Sequence, residues 1–112
     1  MKRYASIVGI KADRIEEYKR LHAAVWSEVL ATIRECNIRN YSIYLRRLPD
    51  GQHYLFSYFE YVGGDFAADG AKAAADPATQ KWWALCKTCQ LPLTDRAPDE
   101  WWANAEEVFH CD

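Results

Sequence analysis

Tyr18 and His22 stand four residues apart in the run Glu16-Glu17-Tyr18-Lys19-Arg20-Leu21-His22-Ala23-Ala24-Val25-Trp26. The apolar spacing there is that of a helix, and residues i and i+4 of a helix stack on one face. The phenol and the imidazole therefore point the same way, along a stripe that continues through Val25, Val29 and Ile33. An imidazole titrates near neutral pH and can take or give a proton at little cost. On an apolar stripe it is either a hydrogen-bonded core residue or the acid/base group of an enclosed site, and the spacing leaves both open.

Other residues could complete such a site. Trp82 and Trp83 are adjacent, and neighbours on a helix point about 100° apart, so one can pack against a sheet while the other borders a cavity. Tyr41 shares a strand face with Ile43 and Leu45, while Tyr44 points the other way. If the helix bearing Tyr18 and His22 packs on that face, the Tyr41 phenol joins them. Trp101-Trp102 is a second tryptophan pair in a less regular stretch, open to three readings: a lid, part of an interface, or a plug over the core. Cys86-x-x-Cys89 has the spacing of half a zinc site, with His110-Cys111 as the conceivable other half, but a single CxxC is a weak signal. Phosphate-cradling glycine loops, a G-x-S-x-G elbow and H-E-x-x-H are absent from the sequence.

The elements that must position these residues can be read from patterning. Residues 3–10 form a strand, and Asp13 with Glu16 offers a capping box for a helix that runs to about Cys36. Residues 38–47 and 53–61 are strands joined by Leu48-Pro49-Asp50-Gly51-Gln52, a turn in which Pro presets φ and Gly permits a positive one. After Gly63-Gly64, Asp65 opens an alanine-rich helix to about Ala75. Asp76 then caps a second helix, with Pro77 at its first position, through Trp82 and Trp83 to about Lys87. Glu106–Cys111 is expected to be the last strand. The order β-α-β-β-α-β is the ferredoxin-like split βαβ motif, an α+β fold whose antiparallel sheet carries its helices on one face.

At 112 residues the chain reads as a single domain, residues 1–112. The net charge is −2, with Lys and Arg scattered among Asp and Glu, so no nucleic-acid partner is expected. No apolar run reaches membrane length or, near Met1, signal-peptide length, so a cytoplasmic protein is expected, with the four cysteines as thiols. Five Trp and seven Tyr exceed what a small core needs, and rings with a polar edge commonly line ligand sites. Strand 53–61 alternates Tyr54, Phe56 and Tyr58 against Leu55, Ser57 and Phe59, so neither sheet face is polar. The face without helices calls for a second copy of the chain, and a homodimer is expected.

The pattern E-E-Y-x-x-x-H-x-x-x-W near the N-terminus, N-Y-S-I-Y-L on the second strand, Q-x-W-W in the late helix and the closing E-E-V-F together resemble the L-rhamnose mutarotase family, across nearly the whole chain. The resemblance implies a small cytoplasmic dimeric α+β barrel enzyme that interconverts the α and β anomers of a 6-deoxy-L-hexose, L-rhamnose or L-fucose, with no cofactor and no metal. It also implies that His22 is the catalytic proton donor and that Tyr18, Tyr41, Trp82 and Trp83 bind the sugar. The run from Cys86 to Leu93, the Gly63-Gly64 pair, Trp101-Trp102 and the ending Val108–Asp112 depart from the rhamnose pattern. Asp76-Pro77-x-Thr79-Gln80-x-Trp82-Trp83 followed by Cys89-Gln90 is more similar to the family's L-fucose branch. The competing readings are a small monooxygenase or haem-handling protein on the same fold, and a sugar-binding module without catalysis.

Overall fold

The Pro49-Asp50-Gly51 turn closes as its residues dictate. Gly51 adopts φ 83°, its N–H donates to the Leu48 carbonyl at 2.9 Å, and the Asp50 carboxylate accepts from the Gln52 N–H at 2.9 Å. The computed structural model describes residues 1–112, and in it this turn joins β2 (Ile38–Arg47) to β3 (His53–Tyr61) as an antiparallel hairpin. β3 pairs along its whole length with β1 (Lys2–Ile10). The other edge of β1 carries two short antiparallel segments, β4 (Gln90–Leu91) and β5 (Ala103–Ala105). β4 can approach only because residue 9 is glycine, since a Cβ there would lie 2.7 Å from the Leu91 carbonyl oxygen.

Four helices, α1 (Ile15–His22), α2 (Ser27–Glu35), α3 (Phe66–Ala75) and α4 (Pro77–Lys87), complete the ferredoxin-like α+β arrangement. The capping expected at Asp65 and Asp76 is present. Their carboxylates accept from the N–H groups of Ala68 at 3.1 Å and Thr79 at 2.9 Å, and Pro77 occupies the first position of α4. α3 buries none of its residues but is anchored by Phe66, whose ring stacks on Tyr4 at 4.4 Å and meets Tyr61 edge-on at 5.0 Å.

Three expectations are corrected. The single helix from Asp13 to Cys36 is two helices, separated at Ala23–Trp26, where Trp26 turns extended and packs edge-on against Trp82 at 5.2 Å. A tertiary contact overrides a segment whose local propensity favours continuation. The capping box does not form, because Asp13 belongs to a 3-10 turn closed by the Arg14 N–H on the Lys11 carbonyl. The last strand is Ala103–Ala105, not Glu106–Cys111. Its register sets Ala105 opposite Ala5, and beyond that pair the backbone ladder stops although β1 continues to Lys2; the tail is held there by the Arg3 side chain on Glu107 instead.

The core lies between the sheet and the helices. Val8, Ile10 and Leu55 from the strands meet Tyr18, Val29, Trp82, Cys86 and Cys89. Full burial of an aliphatic side chain stabilises by about 1.5–3 kcal/mol, so Val8, Val29 and Leu55 anchor the layer against which the cavity is built. The opposite sheet face carries Ile7, Phe56, Tyr54, Tyr58 and Tyr44, with Tyr44 65% exposed. No helix is long and apolar enough to cross a membrane.

Candidate active site

Between the helix layer and the sheet lies a cavity of about 450 Å³, and Tyr18, His22, Tyr41, Trp82 and Trp83 all line it. α1 supplies Tyr18 and His22 on adjacent turns, with ring centroids 4.1 Å apart and nearly parallel planes. α4 supplies both tryptophans. Trp82 is buried and meets His22 edge-on at 5.1 Å, whereas Trp83 stays 41% exposed at the cavity's margin. One ring of the pair packs and the other borders the opening, as their angular separation requires.

Tyr41 shares the cavity face of β2 with Ile43 and Leu45, next to an irregularity in the strand. Residues 39 and 42 oppose Glu60 and Tyr58, so Asn40 and Tyr41 together face one residue of β3, a β-bulge with Asn40 at φ 51°. The Asn40 amide ties to Glu60 at 2.7 Å on the helix-free face, and Tyr41 is left beside Phe59, ring centroids 5.6 Å apart, on the cavity face. Tyr41 is 44% exposed, and partial desolvation of its phenol raises its pKa above the ordinary value.

The protonation state of His22 follows from its partners. Nδ1 lies 2.8 Å from the Tyr18 carbonyl oxygen, an acceptor only, so Nδ1 carries a hydrogen and donates it. In the neutral ring Nε2 is then an unprotonated acceptor. Burial lowers the His22 pKa, with the hydrogen bond to the Tyr18 carbonyl opposing that shift only in part, so the neutral form dominates at pH 7. Tyr18 is itself buried and its phenol pKa is driven well above the ordinary value by desolvation, while a hydrogen bond from Gln90 pulls the other way.

The cavity also holds groups that spacing along the chain did not bring forward. Gln90 of β4 is buried and bonds Tyr18 and Trp101. Ser6 and Ser57 share a 2.6 Å hydrogen bond on the floor, where they interrupt the otherwise apolar inward face of β1 and β3. A hydroxyl on a strand face that is apolar on either side is the sequence signal that would have found the serine pair. Trp101 and Trp102 line the cavity from their own chain, and the Lys87 ammonium lies 5.0 Å from the centre of the Trp101 ring. Cys86 and Cys89 are buried in the core, burial pushing the Cys86 thiol up to about 12, and Cys111 is exposed in the tail. They do not converge with His110, and no cluster of three or more metal-ligating side chains occurs.

A second cavity of about 390 Å³ shares Tyr18, His22, Tyr41 and Trp82 but lacks Gln90 and the serines, and its lining is almost wholly aliphatic or aromatic. The larger cavity is therefore the one equipped for a polar ligand.

Known proteins match this chain end to end. The family model for L-rhamnose mutarotase matches residues 3–111. An L-rhamnose mutarotase of Oceanobacillus iheyensis is 30% identical over 112 residues, covering all of both chains, and one from Listeria monocytogenes is 35% identical over 98% of each. An L-fucose mutarotase of Xanthomonas campestris is 33% identical over 97% of this chain and 87% of its own. Among solved structures, an L-rhamnose mutarotase from Formosa agariphila superposes with a TM-score of 0.74 at 20% identity over both whole chains. The tetracenomycin F2 cyclase of Streptomyces glaucescens superposes at 0.69 and 14% identity, over 100% of this chain and 98% of its own. These two likenesses concern the fold. With its sequence matched from residue 3 to residue 111, and its fold shared, the chain belongs to the L-rhamnose mutarotase family of carbohydrate isomerases.

Proposed function

We propose that this protein interconverts the α and β anomers of a 6-deoxy-L-hexose, L-fucose or L-rhamnose, by acid/base opening and closure of the sugar ring at His22. The observation that carries this is the neutral His22 ring, its Nδ1–H held by the Tyr18 carbonyl and Nε2 left as an acceptor, in a cavity walled by aromatic rings. Ring opening needs one group to take the O1 proton and another to protonate the ring oxygen. Nε2 of neutral His22 takes the first proton, and the imidazolium so formed returns it when the ring closes on the other face. His22 is thus acceptor in one direction and donor in the other. Tyr18 or Tyr41 serves the second oxygen.

Sugar binding falls to the rest of the lining. Trp82 and Trp83 offer flat apolar faces to the C–H face of the sugar and its methyl group, and the Ser6–Ser57 pair offers hydroxyls to those of the ligand. The Asp76-Pro77-x-Thr79-Gln80-x-Trp82-Trp83 run with Cys89-Gln90 supports L-fucose as the better substrate. Four free thiols suit a reducing cytoplasm. A homodimer would cover the aromatic sheet face around Tyr44 and Phe56, which no helix of the same chain covers.

The test is anomer exchange of both sugars by saturation-transfer NMR. The parent chain is expected to accelerate exchange, and His22→Ala to lose about 10²–10⁴ of that acceleration. Exchange left intact in His22→Ala overturns the mechanism. Sugar binding without any acceleration by the parent marks a binding module instead.

A further inference from the structure

Gln90 lies buried between two groups whose hydrogen-bonding roles fix its own. The Trp101 Nε1–H donates to Gln90 Oε1 at 2.8 Å. An indole N–H can only donate, so the amide atom facing it must be the carbonyl oxygen. The other end of the amide is therefore the NH₂, a donor, and it lies 3.2 Å from the Tyr18 hydroxyl. Tyr18 accepts from Gln90, its own O–H proton finds no protein acceptor, and the cavity it shares with His22 is where that proton can be used. The chain of orientation runs from Lys87 over the Trp101 ring, through Trp101 and Gln90, to Tyr18.

We propose that Gln90 and Trp101 are positioning residues that commit Tyr18 to donate its proton to the ring oxygen of the sugar. This rests on the mutarotase reading above and names the group that reading left open between Tyr18 and Tyr41. On opening, His22 Nε2 takes the O1 proton and the O–H bond pair becomes the second bond of the C1 carbonyl. The C1–O5 bond breaks, its electron pair stays on the ring oxygen, and that oxygen takes the Tyr18 proton. The resulting phenolate keeps the hydrogen bond from Gln90 and stacks against the imidazolium of His22, ring centroids 4.1 Å apart in the free protein. Closure returns both protons, the ring-oxygen proton to Tyr18 and the imidazolium proton to O1, so no net charge or proton is gained over a cycle.

The distinguishing measurement compares two replacements of one side chain. Gln90→Glu is nearly isosteric, but an ionised carboxylate only accepts, so it draws the Tyr18 proton towards itself and away from the sugar. Gln90→Met keeps the volume and leaves that proton free. The kcat for anomer exchange is expected to fall about 10²-fold in Gln90→Glu and less than about 10-fold in Gln90→Met, with KM nearly unchanged in both. A residue that only packs would give the reverse order. The ratio of Gln90→Glu to parent activity should also recover as pH falls, because a protonated carboxyl can donate to Tyr18 as the amide does.

Trp101→Phe keeps the ring, removes the N–H that orients the amide, and is expected to lower kcat by about 10-fold; it decides the matter should Gln90→Glu fail to fold. Parental kcat in Gln90→Glu or in Trp101→Phe, or a greater loss in Gln90→Met than in Gln90→Glu, overturns the assignment while leaving the mutarotase reading intact. A parent chain that accelerates exchange of neither sugar overturns that reading, and this assignment with it.

Discussion

The two faces of the sheet are built from the same strands and are almost equally aromatic, yet they meet different fates. On one, Val8, Ile10 and Leu55 are sealed beneath α1, α2 and α4, which also enclose the cavity with Tyr18, His22 and Trp82. On the other, Tyr54 and Tyr58 donate their hydroxyls to the exposed carboxylate of Asp50 and the half-buried one of Glu60, and Tyr44 stands in solvent. Composition does not separate the faces; what separates them is which one the crossover connections cover. A face closed within the chain can exclude water and hold a neutral histidine, and a face left open can only be closed by another molecule.

The largest effect expected from breaking this contrast comes from the closed face. Trp82→Ala removes a buried ring that supports both His22 and Trp26, and should destabilise the protein by about 3–5 kcal/mol, read from urea unfolding midpoints. A cost below about 1 kcal/mol would mean that the wall is not packed as described. The open face should respond in association instead. Tyr44→Arg is expected to raise the concentration at which monomer appears in sedimentation by about 10-fold or more, with stability of the monomer fold little changed. An unaltered sedimentation profile would remove Tyr44 from the proposed homodimer interface.

The smallest expected effect is also the finest discriminator, because the faces titrate in different windows. Burial depresses the His22 pKa, so below about 6.5 the unfolded chain binds that proton more readily than the folded one. Stability and kcat/KM should both fall as pH drops from there through the lowered folded value. Asp50 and Glu60 are held below their usual range chiefly by hydrogen bonds, from Tyr54 for Asp50 and from Asn40 and Tyr58 for Glu60. Their contribution, weakened by solvent, is present above the ordinary carboxylate range and is lost only as pH falls through their lowered values. An acid limb of kcat/KM centred above 6.5 would contradict a desolvated His22.

Much of this was legible in the residues. The hairpin about Gly51, the caps at Asp65 and Asp76, and the alternation that puts Tyr41 with Ile43 and Leu45 are encoded within a few residues of where they act. The Tyr18 and His22 neighbourhood is likewise local, since four residues of helix suffice to stack the rings. The break after His22 was not legible, because Ala23-Ala24-Val25-Trp26 contains no helix breaker and the chain leaves the helix where Val25 and Trp26 pack on the core, Trp26 against Trp82. Nor was β4, two residues whose pairing depends on the space above Gly9.

The sequence by itself determined the hairpin, the capped starts of α3 and α4, the strand parity and the pairing of a phenol with an imidazole on one helical face, because periodicity is a property of neighbours along the chain. Only the tertiary structure decided which sheet face is closed, and that Gln90 meets Tyr18 from 72 residues away with Trp101 behind it. Such contacts depend on how β4 docks at the edge of β1, and no local pattern carries that information.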